Sequence, residues 1–155
     1  MQIVTATATS HETGPLTQVV NRFVAAQGAA LAAGITGPES WDPVAAFVDV
    51  ANFRRVGAYL EELDWPAYRD FLTGWAAGGT RFEMTTFHVS EIGNAVFQEI
   101  EERHWRGGDF IRKNVIAVYR FTPDGRIAHL DIYEQARDSG DWIREAAKGA
   151  EKAAG

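Results

Sequence analysis

Apolar positions along this chain recur first at helical spacing and then at strand spacing. Leu16, Val19, Val20, Phe23, Val24, Gln27 and Leu31 fall three or four residues apart within "GPLTQVVNRFVAAQGAALAAG", which predicts a helix ended by a Gly. "SWDPVAAFV" offers Ser40 or Asp42 as N-cap and Pro43 at the first helical position, so a short second helix is expected to lead into a strand near residues 51–56. Asp64 ahead of Trp65-Pro66 and the Gly78-Gly79 pair bracket a third helix. From Thr80 the period changes to two. "TRFEMTTFHV", "AVFQEIEERHW", "FIRKNVIAVYRFT" and "RIAHLDIYEQ", joined by "SEIGN", "RGGD" and "PDG", read as four hairpin-linked strands. "SGDWIREAAKGAEKAAG" reads as a closing helix and residues 1–14 as a loose tail.

Helices first and a meander second predict an α+β fold over residues 1–155, one domain with helices on the concave face of a curved antiparallel sheet. The turns also set which residues stand opposite each other. With Gly107-Gly108 at one turn centre, Gln98 faces Ala117, Ile100 faces Val115, Glu102 faces Lys113 and His104 faces Ile111. With "PDG" at the next, Tyr119 faces Leu130, Ala117 faces Ile132 and Val115 faces Glu134. One sheet face then carries Met84, Thr86, His88, Gln98, Ile100, Glu102, Val115, Ala117, Tyr119, Leu130, Ile132 and Glu134, apolar at one end and polar at the other. That is the make-up of a ligand cavity, an apolar cleft with a few placed polar groups. On the third helix Trp65, Tyr68 and Trp75 read first as core, with Trp75 also a candidate for the cavity wall. The opposite sheet face sets Phe97, Ile116, Val118 and Tyr133 among Arg103, Arg112, Arg120, Glu99, Glu101 and Asp131, a pattern that suits a homodimer surface.

Charge and composition narrow the partners. Fifteen Lys and Arg stand against 21 Asp and Glu, a net charge of -6, which on average repels nucleic acid and anionic membranes. The absence of cysteine removes disulfides, thiolate nucleophiles and cysteine-ligated metals, and no metal or organic cofactor is expected. No basic start and no long apolar run precede the first helix, so a cytoplasmic protein is expected.

Each polar candidate has two readings. Glu102 on the inner face either transfers protons or forms an ion pair with Lys113. Arg55 either holds an anionic oxygen or points to solvent beside Arg54. His104 is a second acid or base at the cavity mouth, or a surface imidazole. His88 is expected to make a structural hydrogen bond near the closed end of its hairpin. Glu134, two strands from Glu102, is too far away to share a proton with it.

The order of elements and the stretch "VYRFTPDGRIAHLDIYE" from Val118 to Glu134 resemble the nuclear transport factor 2-like superfamily, and Thr86-Phe87-His88-Val89 resembles the segment before the hairpin in limonene-1,2-epoxide hydrolases. The resemblance implies a cone-shaped pocket between sheet and helices. It also places the hydrolase's Asp-Arg-Asp triad at Glu102, Ile100 and Ile132 and its water-holding pair at Phe53 and Arg55, so one carboxylate of the triad survives. Epoxide opening needs an acid, a base and an oriented water, and this pattern argues against that reaction, although a hydrolase with altered catalytic residues remains an alternative. The steroid isomerase positions would fall near Arg55 and Ala117. The paired histidines of scytalone dehydratase invite comparison with His88 and His104, which the register sets several residues apart. The expectation is a small-molecule enzyme doing acid–base chemistry, such as isomerisation, dehydration or cyclisation, on a hydrophobic oxygenated compound of the terpenoid, steroid or polyketide kind. The alternatives are a non-catalytic binder of such a compound and a dimerising structural module.

Overall fold

The computed structural model describes residues 3–7, 14–79 and 81–136. In chain order the elements are β1 (Ile3–Thr7), α1 (Pro15–Ala33), a single 3-10 turn (Pro38–Trp41) running into α2 (Asp42–Ala45), β2 (Arg54–Val56), β3 (Glu62–Leu63), α3 (Trp65–Ala77), β4 (Arg81–Ile92), β5 (Ala95–Arg106), β6 (Asp109–Phe121) and β7 (Ile127–Gln135). The expected closing helix falls outside the described residues.

The four long strands form the antiparallel meander read from the sequence, and every predicted partner across β5, β6 and β7 is observed. Two-residue turns fix the β4–β5 and β5–β6 registers, and the five residues 122–126 connect β6 to β7. Gly93 and Gly107 each begin one of the two-residue turns with φ near 60°, a conformation that glycine adopts without a Cβ penalty. The sheet as a whole is mixed rather than purely antiparallel, in the order β1-β4-β5-β6-β7-β2-β3. β1 lies parallel to β4, so part of the expected loose tail is a paired edge strand. β2 lies parallel to β7, with Arg55 opposite Leu130, and the two-residue β3, which the sequence did not suggest, pairs with β2.

Two irregularities bend the sheet. The register of β4 shifts between Thr86 and His88, leaving Phe87 as the extra residue, and that of β6 with β7 shifts after Arg120. The first has a consequence for the inner face. Met84 and Thr86 point inward as expected, but past the bulge Val89 takes the inward place opposite Gln98, and His88 pairs with Glu99 on the outside. The expected inward His88 is therefore corrected. Its ring instead meets the Ser90 hydroxyl at 2.6 Å, a local hydrogen bond of the kind anticipated for it.

Helices α1 and α3 supply the apolar faces that cover the sheet. Val20, Phe23, Ala30 and Leu31 of α1 and Trp65, Tyr68 and Leu72 of α3 join Trp41, Val44, Val96, Tyr119, Phe121, Ile127 and Leu130 in the main core. Burying a residue such as Phe23 stabilises the fold by roughly 1.5–3 kcal/mol. A smaller cluster of Phe82, Met84, Ile100 and Val115 lies at the other end of the sheet. The helix starts are managed differently. Asp64 caps α3 as predicted, accepting the Ala67 N–H at 2.9 Å. Neither Ser40 nor Asp42 caps α2: Ser40 closes the preceding turn by accepting from the Gly37 N–H, and Asp42 is the first helical residue.

Helix α1 begins Gly14-Pro15 and has no capping side chain of its own. Glu91, from the end of β4, takes that role by accepting the Thr17 N–H at 2.8 Å, the Thr17 hydroxyl at 2.9 Å and the Leu16 N–H at 3.3 Å. Burial alone would raise the Glu91 pKa, but these hydrogen bonds outweigh it and hold the carboxyl below its ordinary 4.5. A depressed pKa stabilises the fold above the unfolded value, and that contribution is lost as pH falls through the folded value. Glu91→Ala is expected to cost about 1 kcal/mol at neutral pH. Urea midpoints should show this deficit at neutral pH and its disappearance once the wild-type carboxyl is protonated.

Candidate active site

The inner faces of β5, β6 and β7 and the undersides of α1 and α3 enclose a cavity of about 440 Å³. Successive rungs of the sheet set its lining. His104 stands between Phe82 and Ile111, Glu102 between Met84 and Lys113, and Ile100 reaches Glu134 through Val115. Gln98 leads through Ala117 to Ile132, and Tyr119 through Leu130 to Arg55. Of the residues selected from sequence, Glu102, Arg55, His104, Trp75, Met84, Gln98, Ile100, Val115, Ala117, Tyr119, Leu130, Ile132 and Glu134 all line the cavity. His88 does not, for the reason given by the bulge.

Three polar groupings face this space. His104 Nε2 lies 3.0 Å from Glu102 Oε2, both side chains half-buried. With the carboxylate oxygen as acceptor, Nε2–H is the donor of this bond and Nδ1 is the ring nitrogen left over for another partner. The ring is held by Phe82 and Trp75, at centroid distances of 4.9 and 6.1 Å. The ion pair anticipated between Glu102 and Lys113 is not made. Lys113 Nζ turns to Glu134 at 3.2 Å, which neutralises the second carboxylate of the mouth and leaves Glu102 to the imidazole.

The third grouping surrounds Arg55. Its expected solvent-facing alternative is overturned, because pairing with Leu130 points the side chain inward and only 11% of it is exposed, while Arg54 takes the outer side and binds Glu62. The Arg55 guanidinium lies over Phe71 at 4.9 Å and Tyr68 at 5.5 Å, and Nη1 meets Glu61 at 3.2 Å. Burial would raise the Glu61 pKa, but backbone N–H groups and Arg55 draw it below the ordinary value. Tyr68 accepts a hydrogen bond from Gln27 Nε2 at 3.2 Å. Burial raises the pKa of the Tyr68 and Tyr119 phenols, so both keep their protons at neutral pH, and each feels the charges of Arg55 and Glu102.

Several wall residues were not selected from sequence: Val24, Gln27 and Leu31 of α1, Tyr68, Phe71 and Leu72 of α3, and Phe82, Arg106, Asp109, Ile111 and Lys113 of the sheet. Gln27 did carry a signal, as a polar residue within the apolar stripe of its helix. Phe53, a position that the hydrolase resemblance marked, packs instead in the core between Trp65 and Tyr68. The other marked positions, Ile100, Ile132 and Arg55, do join Glu102 on the cavity wall. Among the described residues no group of three acidic or histidine side chains is placed to hold a metal, and no helix is long and apolar enough to cross a membrane.

The chain matches no family model and no curated protein. Solved structures do match it. A LEH-like epoxide hydrolase from M. tuberculosis superposes with a TM-score of 0.60 and 18% identity, covering 77% of this chain and 82% of that one. An NTF2-like protein from Exiguobacterium sp. 255-15 gives a TM-score of 0.60 and 14% identity, with 76% and 98% covered. A SnoaL-like polyketide cyclase structure from Shewanella denitrificans OS-217 gives 0.64 and 10%, with 79% and 92% covered. At these identities the likeness establishes the fold, which is nuclear transport factor 2-like.

Ala117 is the small residue of the cavity floor. Ala117→Phe is expected to fill that space and weaken binding of an apolar fluorescent dye at least about tenfold. Because the added ring enters a cavity, the stability loss should stay below the ~1–3 kcal/mol of overpacking a filled core. Dye titration and thermal melting check the two halves.

Proposed function

With a nuclear transport factor 2-like fold as the frame, we propose that this protein is a small-molecule enzyme that moves a proton on a hydrophobic oxygenated compound without a metal or organic cofactor. The observation that carries the reading is the Glu102–His104 pair at 3.0 Å on the wall of an otherwise apolar cavity. Glu102 fixes the imidazole by accepting from Nε2–H and stabilises its protonated form, while Nδ1 takes the substrate proton. The C–H bond next to a carbonyl breaks, its electron pair passes into the carbonyl, and the Arg55 guanidinium stabilises the enolate charge from across the cavity. Return of the proton at another carbon gives isomerisation, and departure of a β-hydroxyl gives dehydration. Names among the structural neighbours, a SnoaL-like cyclase and a LEH-like hydrolase, support small-molecule chemistry on this frame. The apolar lining from Met84, Ile100, Val115 and Ile132 favours a terpenoid-, steroid- or polyketide-like body.

Glu102→Gln keeps the shape of the side chain and removes its charge. Turnover is expected to fall by about two to four powers of ten with little change in ligand affinity. Binding without any turnover in the wild type would favour a non-catalytic binding protein, and undiminished turnover in Glu102→Gln would remove the carboxylate from the mechanism.

The working unit is further proposed to be a homodimer formed through the outer sheet face. Phe97, Ile116 and Tyr133 are 36%, 41% and 59% exposed there. Val118, expected in the same strip, is only 3% exposed because Phe97 flanks it on one side and Asp131, paired with Arg120, on the other. The flanking charges already pair within the protomer, Arg103 with Glu101 at 2.6 Å among them, so apolar contact is the stronger argument for association. Ile116→Glu is expected to yield monomers in light scattering while leaving the melting behaviour of the protomer intact. A wild type that is monomeric at micromolar concentration would contradict the dimer.

A further inference from the structure

Gln98 and Tyr119 differ from the other buried polar residues of the cavity. Both are only 5% exposed, both line the cavity, and neither side chain makes a hydrogen bond to another described residue. By contrast, Tyr68 is bonded to Gln27, Glu102 to His104, Lys113 to Glu134 and Arg55 to Glu61. Neither is among the polar atoms sealed from solvent without a partner, so the amide and the phenol open onto the cavity and depend on its contents for their hydrogen bonds.

Their places in the sheet make them one site. Gln98 stands opposite Ala117 and Tyr119 opposite Val96, so the two are diagonal neighbours on adjacent strands of one face, with Cα atoms about 7–8 Å apart. They lie toward the end of the sheet where α1 packs, Tyr119 with its ring edge against Phe23 at 6.1 Å. Gln98 precedes Glu102 by four residues along β5, about 13 Å of strand, with Ile100 on the same face between them. Val115 and Ile132 continue the apolar belt across β6 and β7.

We infer that Gln98 and Tyr119 form a second polar subsite, which receives a hydroxyl or carbonyl oxygen at the end of the ligand remote from the Glu102–His104 pair. The ligand is then an apolar body with an oxygen at each end. The phenol keeps its proton, because burial raises its pKa, and donates to that oxygen, while the amide offers both a donor and an acceptor. This deepens the reading of the cavity as a substrate site and rests on it.

Biphenyl, 4-hydroxybiphenyl and 4,4'-dihydroxybiphenyl form a rigid series with no, one and two oxygens, and binding can be followed by calorimetry. The diol is expected to bind the wild type at least about fivefold more tightly than the mono-ol. Gln98→Leu and Tyr119→Phe together should erase that difference and leave biphenyl binding unchanged or tighter. Both variants should melt at or above the wild-type temperature, since each removes a polar group that has no protein partner. An equal diol preference in the double variant, no preference in the wild type, or a clear loss of thermal stability would overturn the subsite. Turnover plays no part in the measurement, so these outcomes leave the catalytic pair untouched, whereas failure of all three compounds to bind would overturn the cavity reading as well.

Discussion

The two-residue alternation of β5 is the constraint from which the rest of the site follows. Gln98, Ile100, Glu102 and His104 share one face because side chains along a strand point to opposite sides in turn, and the Gly107-Gly108 turn locks that face against Val115 and Ala117 of β6. A slip of one residue would exchange this set for Phe97, Glu99, Glu101 and Arg103. The cavity would then carry three charges and one ring, and the helices would have no apolar floor to cover. Register is thus set by the need to bury Ile100 and Val115, and the polar residues of the same face are carried inward with them.

Carrying charge inward is costly unless it is paired, and the pairing divides unequally. Lys113 stands directly across from Glu102 and is its obvious partner, yet it reaches Glu134 on the next strand. Arg55, another cation of the cavity, is engaged by Glu61 and by two aromatic faces. Glu102 is left with an imidazole. In the sheet order the Lys113–Glu134 pair on β6 and β7 separates the Glu102–His104 pair on β5 from Arg55 on β2.

The long strands and their partners were legible because glycine at two-residue turns and strict alternation specify them locally. What the sequence left open was set at a distance. Arg55 turns inward because three residues of β2 pair with 129–131 of β7, more than seventy positions later, and nothing within "NFRRV" chooses between Arg54 and Arg55. His88 was misplaced because one extra residue at Phe87 reverses the face, and "TTFHVS" carries no glycine to announce a bulge. Val118 was correctly assigned to the outer face but wrongly expected to be exposed, since its burial depends on which side chains flank it on β5 and β7. The wall residues of α3 belong to the same class. Tyr68 and Trp75 meet the criteria for core and for ligand contact alike, and only the gap between helix and sheet separates the two.

That gap explains why a sequence with a good apolar pattern does not close its core. The sheet bends at the β4 bulge, and the packed clusters gather at its two ends, Phe23, Trp41 and Ile127 at one and Phe82, Met84 and Ile100 at the other. Between them α3 lays Tyr68, Leu72 and Trp75 over Ala117 and Val115, whose small side chains do not fill the distance. Larger residues at those floor positions would complete the packing and add stability, at the expense of the space. The structure instead keeps small residues below and aromatic ones above, and it sets its inward polar groups around the volume left open. A scaffold that only had to pack has no reason to concentrate its unfilled volume and its inward acidic, basic and imidazole side chains in one place, and that coincidence favours a ligand site over a structural module.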